Sequence, residues 1–431
     1  MAGRGPLEGI TVVEFGSFIA GPFAGQLLAD MGADVIKIEP LTGDPWRHQN
    51  PFAPGESRVF LPLNRGVRSV SVDLKSAGGQ DVLTRIIAAA DAVVSNNRPD
   101  TAEALGIDYD SLAPLNPGLV YVEITAYGPK GPRAGMPGFD LIMQGFAGAI
   151  ASEGKLTDGH PEPVWSSSYI DFSTAYAAAA AVMAGIIERH RTGKGQRATT
   201  SLFANALAMQ CMRLTRINEH PTPVQKWYED EYPRLQADGT AYPDLQERYQ
   251  QMVRPLEYRC YYRAYRTKDG GLALGTLAFP ARRRLLEFLG MQDPRVQDPG
   301  ADSSSPELQE LGRRLITEIE NVFSTRTTAE WFKELRERDI PCEPVRFIEE
   351  LVDDEQALAN SYVIEVAHPA GVTYRTSGPV VRFDGGMPEI KPSPLLGQHT
   401  GEVLKSAGYS DADVAELAAA GCIRLAAGSP G

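Results

Sequence analysis

Apolar runs of strand type alternate with amphipathic helical stretches through the first part of the chain, and that alternation leaves few folds open to it. Ile10 to Phe15 (ITVVEF) reads as a buried strand. A helix follows, opening at Gly21-Pro22 with Phe23, Leu27, Leu28 and Met31 on its apolar face. Proline is favoured just inside a helix start, where its missing N–H would have had no helical partner anyway. Ala33 to Ile38 is the next strand. Ser69 to Asp73, a helix around Val82, Leu83, Ile86 and Ile87, then Asp91 to Ser95 and Leu119 to Ile124 continue the theme. Strands separated by helices of this length form a parallel sheet covered on both faces. The expected class is α/β: a large domain with a Rossmann-like, doubly wound parallel sheet.

Helices are expected near 139–151, from 171 to about 190 and after Ser201, with an extended run from Gln196 to Ser201. From Asn218 to Glu257 charges, prolines and tyrosines accumulate, which reads as a linker (216–257) with an irregular or helical excursion. It leads into a smaller α+β domain at 258–334. There Tyr265 to Leu274 carries a strand–turn–strand signal around Gly270-Gly271, and a helix from Arg283 to Leu289 stops at Gly290. The closing segment, 335–431, offers short strands at Thr373–Arg375 and Val380–Phe383 and a final amphipathic helix near Glu402 to Ala407.

A net charge of −13 argues against nucleic acid and anionic membrane surfaces as partners. The four cysteines are scattered, without a C-x-x-C pair, as in a reducing compartment. The N-terminus lacks the apolar core of a signal peptide. The most apolar stretch, Ala175 to Ile187, is shorter than a bilayer span. A soluble, cytoplasmic protein is expected, and the dispersed histidines suggest no metal site.

Three stretches can carry chemistry. The junction Gly16 to Pro22 has small residues where a ligand could approach a helix start, but its spacing is not G-x-G-x-x-G. That weighs against NAD, even with Glu39 placed like a ribose-binding acid. Ser95-Asn96-Asn97-Arg98-Pro99 would lie beyond the carboxyl end of a strand, where amides and a guanidinium can hydrogen-bond a ligand. Asp171, ahead of an Ala-rich run, reads either as a helix N-cap or as a carboxylate kept ionised by the helix dipole, fit for nucleophilic attack.

Read together, these segments resemble the class III CoA-transferases, the family of formyl-CoA transferase and carnitine CoA-transferase. The resemblance is carried by Pro6 to Phe15, Ala20-Gly21-Pro22, Leu28 to Pro40, Gly43-Asp44, Leu63-Asn64-Arg65, Asp73-Leu74-Lys75 and Asn96 to Pro99. Leu105-Gly106, Tyr127 to Asp140 and Gly397 to Thr400 extend it over nearly the whole chain. It implies that Asp171 is the nucleophile, and that Phe18, Ala20, Lys75, Asn96, Asn97 and Arg98 contact coenzyme A. Phe139 and Asp140 would border the substrate pocket. At Asn97 the family usually has an aromatic residue, and of the family's glycine-rich flap only Gly270-Gly271 and Gly275 are present.

The implied activity moves CoA from an acyl-CoA donor to a carboxylic acid acceptor, through mixed anhydrides and an aspartyl-CoA thioester, with no permanently bound cofactor. The implied assembly is an interlocked homodimer whose large domain joins residues 1–215 to 335–431. A 2-methylacyl-CoA racemase on the same fold is the alternative. Racemases of the family carry His where Phe139 stands, and phenylalanine cannot move a proton.

Overall fold

The structure, a computed structural model, describes residues 5–253, 256–298 and 305–426. The chain divides into two compact units. The larger comprises residues up to 153, 162–215 and everything after 353; the smaller comprises 154–161 and 216–353.

The larger unit is built on a seven-stranded sheet. Its strands are β1 (Thr11–Phe15), β2 (Asp34–Glu39), β3 (Arg68–Val72), β4 (Ala92–Ser95), β5 (Val120–Thr125), β6 (Gln196–Ser201) and β7 (Ile423–Arg424). They lie in the order β6-β5-β4-β1-β2-β3-β7. All neighbours are parallel except β7, which runs antiparallel to β3. The chain therefore winds outward from β1 through β2 to β3, returns to the other side of β1 at β4, and winds outward again. That reversal is the topological switch point of a doubly wound sheet, where ligands bind beyond the strand ends.

The strands read as continuous apolar runs because both faces are covered. Val12 and Val35 face one layer with α1 (Ala20–Asp30), α5 (Tyr169–Thr192) and α6 (Leu202–Met209). Val13 and Ile36, one residue on, face the other, with α2 (Ala77–Ala88), α7 (Thr400–Ser406) and α8 (Asp411–Ala419). Between these come α3 (Pro99–Ala104) and α4 (Asp140–Phe146). By length and composition α5 could cross a bilayer, which the shorter run counted in the sequence did not suggest. It packs instead against α1 and β5 as the central helix of one layer.

Several local expectations need correction. The helix expected over 139–151 breaks after Phe146, and a second starts at Ala149 beyond Gly148, whose φ of 78° ends the first. Val380–Phe383 is not a strand; its apolar side chains are exposed and unpaired in any sheet of the described residues. The helix at Thr400–Ser406 is not the last, since α8 and β7 follow it.

In the smaller unit, the stretch read as a linker with an irregular or helical excursion forms the helices Pro223–Asp230, Tyr232–Ala237 and Tyr242–Val253, the first opened by Thr222 with a capping box to Gln225. A three-stranded antiparallel sheet follows, Tyr262–Arg266, Gly271–Gly275 and Cys342–Pro344, with Gly270 in the hairpin turn. Its core includes Leu272, Leu285, Leu315, Trp331, Leu335, Ile340 and Cys342. Ile340 and Cys342 lie past the expected boundary at 334, and the unit runs on to residue 353.

Candidate active site

At the switch point, the ends of β1 and β4 lie side by side, with Phe15 paired to Ser95. A cavity of ≈ 290 Å³ opens beyond them. Its walls are Ser17 to Ala20 from the β1–α1 junction, Asn96 to Pro99 and Thr101 from the start of α3, and Ile124 to Ala126 from the end of β5. Gly135 to Phe139, Leu202 and Asp171 complete it. Of the sequence candidates, Phe18, Ala20, Asn96, Asn97, Arg98, Phe139 and Asp171 thus meet in one place. Lys75 does not line the cavity; it is exposed on the turn after β3, two strands away from β1.

The β1–α1 junction is held under tension. Phe18 has φ 67°, a left-handed conformation that a bulky residue adopts only when its surroundings impose it. Asn96 supplies part of that constraint: its Oδ1 accepts from the Ser17 amide at 3.0 Å and its Nδ2 donates to the Ser17 carbonyl at 2.9 Å. Asn97 Nδ2 donates to the Phe15 carbonyl at 2.7 Å. The amides expected to greet a ligand are therefore engaged in holding the junction. The Phe18 ring then stands edge-on to Phe139, 5.5 Å between centroids, and to Trp46 at 6.3 Å. Arg98, exposed, is paired with Asp100 at 2.6 Å.

Beneath the junction lies a buried ionic cluster. The Lys37 ammonium contacts Glu14 at 3.1 Å, Asp44 at 3.1 Å and the Gly16 carbonyl at 2.9 Å. Burial opposes its charge, but Glu14, Asp44 and Glu39 around it keep its pKa above the ordinary value. Gly16 is required here, because a Cβ would lie 2.1 Å from the Glu14 carboxylate. Glu39 receives Arg47 Nε at 2.7 Å, Arg47 Nη2 at 2.9 Å and the Ser69 hydroxyl at 2.6 Å. Burial works against its charge, yet Arg47 and Lys37 hold its pKa down at about 2. Glu39 is thus a sealed structural anion and not a ribose-binding acid. Nor did sequence spacing reveal Arg47, one of the most deeply buried side chains.

Asp171 is not the N-cap of its helix. α5 begins at Tyr169, and the cap position, Ser168, makes no side-chain bond. The cap comes from α4: Asp140 Oδ2 accepts from the amides of Ile170 at 2.8 Å and Asp171 at 3.2 Å. Its Oδ1 accepts from Gln144 at 2.5 Å. Asp140 is buried and faces the helix start, so it does not line the cavity as expected. Nor does the dipole keep Asp171 readily ionised. Burial, followed by the charge of Asp140, pushes its pKa up to about 7. Asp140 occupies the amides that would have presented positive potential to Asp171.

His399 makes a structural link, its Nδ1 accepting from the Ser69 amide at 3.2 Å at the entry to α7. Among the described residues, no three His, Cys, Asp or Glu side chains are grouped to hold a metal ion.

Known proteins resemble this chain over nearly its whole length. The chain is 32% identical over 412 residues to (R)-2-hydroxy-4-methylpentanoate CoA-transferase of Clostridioides difficile, covering 94% of this chain and 96% of that one. It is 30% identical over 422 residues to succinyl-CoA:glutarate CoA-transferase of Mus musculus, covering 97% and 90%. Formyl-CoA:oxalate CoA-transferase of Rhodopseudomonas palustris (strain TIE-1) is 29% identical over 417 residues, covering 95% and 96%. A CAIB/BAIF family protein from Brucella suis superposes with a TM-score of 0.71 at 27% identity, over 94% of this chain and 100% of that one. A Mycobacterium tuberculosis protein superposes at 0.72 and 26%, over 93% and 99%. The sequence model of CoA-transferase family III matches residues 7–400, and the chain is an enzyme of that family, a class III CoA-transferase.

Proposed function

We propose that the protein transfers CoA from an acyl-CoA to a carboxylic acid with Asp171 as the covalent nucleophile, and that it works in the cytoplasm as an interlocked homodimer. The observation that carries this reading is the place of Asp171: a partly buried carboxylate in the wall of the switch-point cavity, beside Phe18 and Phe139. Ionised Asp171 attacks the donor thioester carbonyl, and the C–S bond breaks to give a mixed anhydride and CoA thiolate. The thiolate attacks the aspartyl carbonyl, forming aspartyl-CoA and releasing the donor acid as its carboxylate. The acceptor carboxylate attacks aspartyl-CoA, which again expels the thiolate. That thiolate then takes the acceptor acyl group and restores Asp171. One thioester is exchanged for another, so no ATP is consumed.

Phe18, Ala20 and Arg98 are assigned to the pantetheine and adenine of CoA, with Asn96 and Asn97 holding the junction that presents them. Lys75, on its exposed turn, is assigned to the nucleotide end. Racemisation needs a second acid–base group near the α-carbon. The position that would supply it carries Phe139, and among the described residues the ionisable side chains in the cavity wall are Asp171 and Arg98.

The relatives act on 2-hydroxy-4-methylpentanoate, on succinate and glutarate, and on formate and oxalate. Their CoA thioesters are therefore the first donor panel, crossed against the same free acids. Asp171→Ala abolishes transfer for every productive pair while CoA binding stays measurable by calorimetry. Turnover retained in Asp171→Ala overturns the assignment.

A further inference from the structure

We propose that Asp140 is a positioning residue for the reaction: its carboxylate fixes the first turn of α5 and sets a second negative charge beside Asp171. The inference rests on the reading of Asp171 as nucleophile and extends it to a second residue, one that never touches substrate. Asp140 lies thirty positions before Ile170 in the chain, yet it accepts the amides of Ile170 and of Asp171 itself. A bond to the nucleophile's own backbone N–H ties the position of its Cα to α4. Gln144, one turn on, braces the arrangement. It donates to Asp140 Oδ1 at 2.5 Å and to the Val164 carbonyl at 3.2 Å, and its Oε1 accepts from the Val164 amide at 2.9 Å. The segment leading into α5 and its first turn are thus both attached to α4.

Among the described residues, Asp140 is the charge that acts on Asp171 beside burial. Asp140 stands on α4, Arg98 lies across the cavity and is paired with Asp100, and Tyr169 is on α5 itself with Glu153 nearby. Glu123 of β5 pairs with Arg197 at 2.5 Å. The Asp140 carboxylate is therefore the charge Asp171 feels most. It acts as a like-charge neighbour that disfavours a second carboxylate and offsets the positive potential of the helix start. An ordinary N-capping serine would satisfy the same amides without that effect.

The test separates geometry from charge. Asp140→Asn keeps an oxygen for the two amides and removes the charge; Asp140→Ala removes both. The readout is the titration of the Asp171 carboxylate in the full-length protein labelled with ¹³C at aspartate Cγ, its resonance identified by its loss in Asp171→Asn. In the parent the midpoint is expected near neutrality, and in Asp140→Asn at least about one pH unit lower. An unchanged midpoint in a folded Asp140→Asn overturns the proposal. A parent midpoint below about 5 overturns the proposal as well, whether or not the variant folds.

A parallel incubation with succinyl-CoA followed by hydroxylamine keeps the two claims apart. Parent protein left unmarked at Asp171 by every donor in the panel sinks the nucleophile reading, whatever the titration shows. Marked parent with an unshifted Asp140→Asn titration sinks only the role of Asp140.

Discussion

As the proposed nucleophile, Asp171 combines two conditions that work against each other, since a nucleophile must be ionised and its site disfavours the charge. With the pKa raised to about 7, the attacking form grows as pH rises through neutrality. The rate of covalent adduct formation should climb with pH and level off above about 8. The same shift has a stability consequence. Between the ordinary value of 3.8 and about 7 the folded chain holds this proton more tightly than the unfolded chain, so stability falls as pH rises across that window. Asp171→Asn should therefore melt higher than the parent at about pH 8 and no higher at about pH 4, as a pair of thermal scans will show. Asn96 illustrates a different residue-scale role. Its side chain bonds both polar groups of Ser17, so Asn96→Ala should cost about 1–3 kcal/mol. It should also raise KM for acyl-CoA, as Phe18 is released from its strained conformation. An unaltered melting temperature and KM would contradict that role.

At the scale of elements, α5 meets the sheet so closely that one position admits only glycine. A Cβ on Gly185 would lie 2.4 Å from Val120 Cγ1, a side chain with no exposure. Gly185→Ala gains about 1 kcal/mol of helix propensity, but overpacking costs about 1–3 kcal/mol. A lower denaturation midpoint is the expected result, and a stabilised variant would refute the close contact. The strands of this sheet were legible because burial on both faces leaves an unbroken apolar run, as in Val12-Val13 or Val93-Val94. The same signal misled at Val380–Phe383, where apolar residues lie on the surface without a partner strand. α8 and β7 escaped notice for the opposite reason: one is rich in alanine, and the other is only two residues long. In the site, Asp171 stood out ahead of its Ala-rich run, but the cap on its helix did not. Asp140 reaches Ile170 from thirty positions earlier in the chain, and no local spacing rule reports a bond made by folding.

For the molecule as a whole, the closing segment completes what the opening one begins. Ile423 is buried against the layer that holds Val72 and Val82, β7 pairs with β3, and the Cys422 carbonyl accepts the Asp73 amide at 2.8 Å. Ending the chain after Ala420 should cost at least about 2 kcal/mol from the lost isoleucine alone. It also leaves the β3 edge open to pairing between molecules. A lower melting temperature with concentration-dependent light scattering is expected, and a monodisperse protein of parental stability would show that β7 contributes little. The central claim is that an enzyme with this fold carries CoA on one carboxylate. It is tested most directly by incubating the parent with each acyl-CoA of the donor panel, quenching with hydroxylamine and mapping the modified peptide by mass spectrometry. A hydroxamate at Asp171, absent from Asp171→Ala, is the predicted result. An unmodified Asp171 in protein that is transferring CoA would contradict the mechanism.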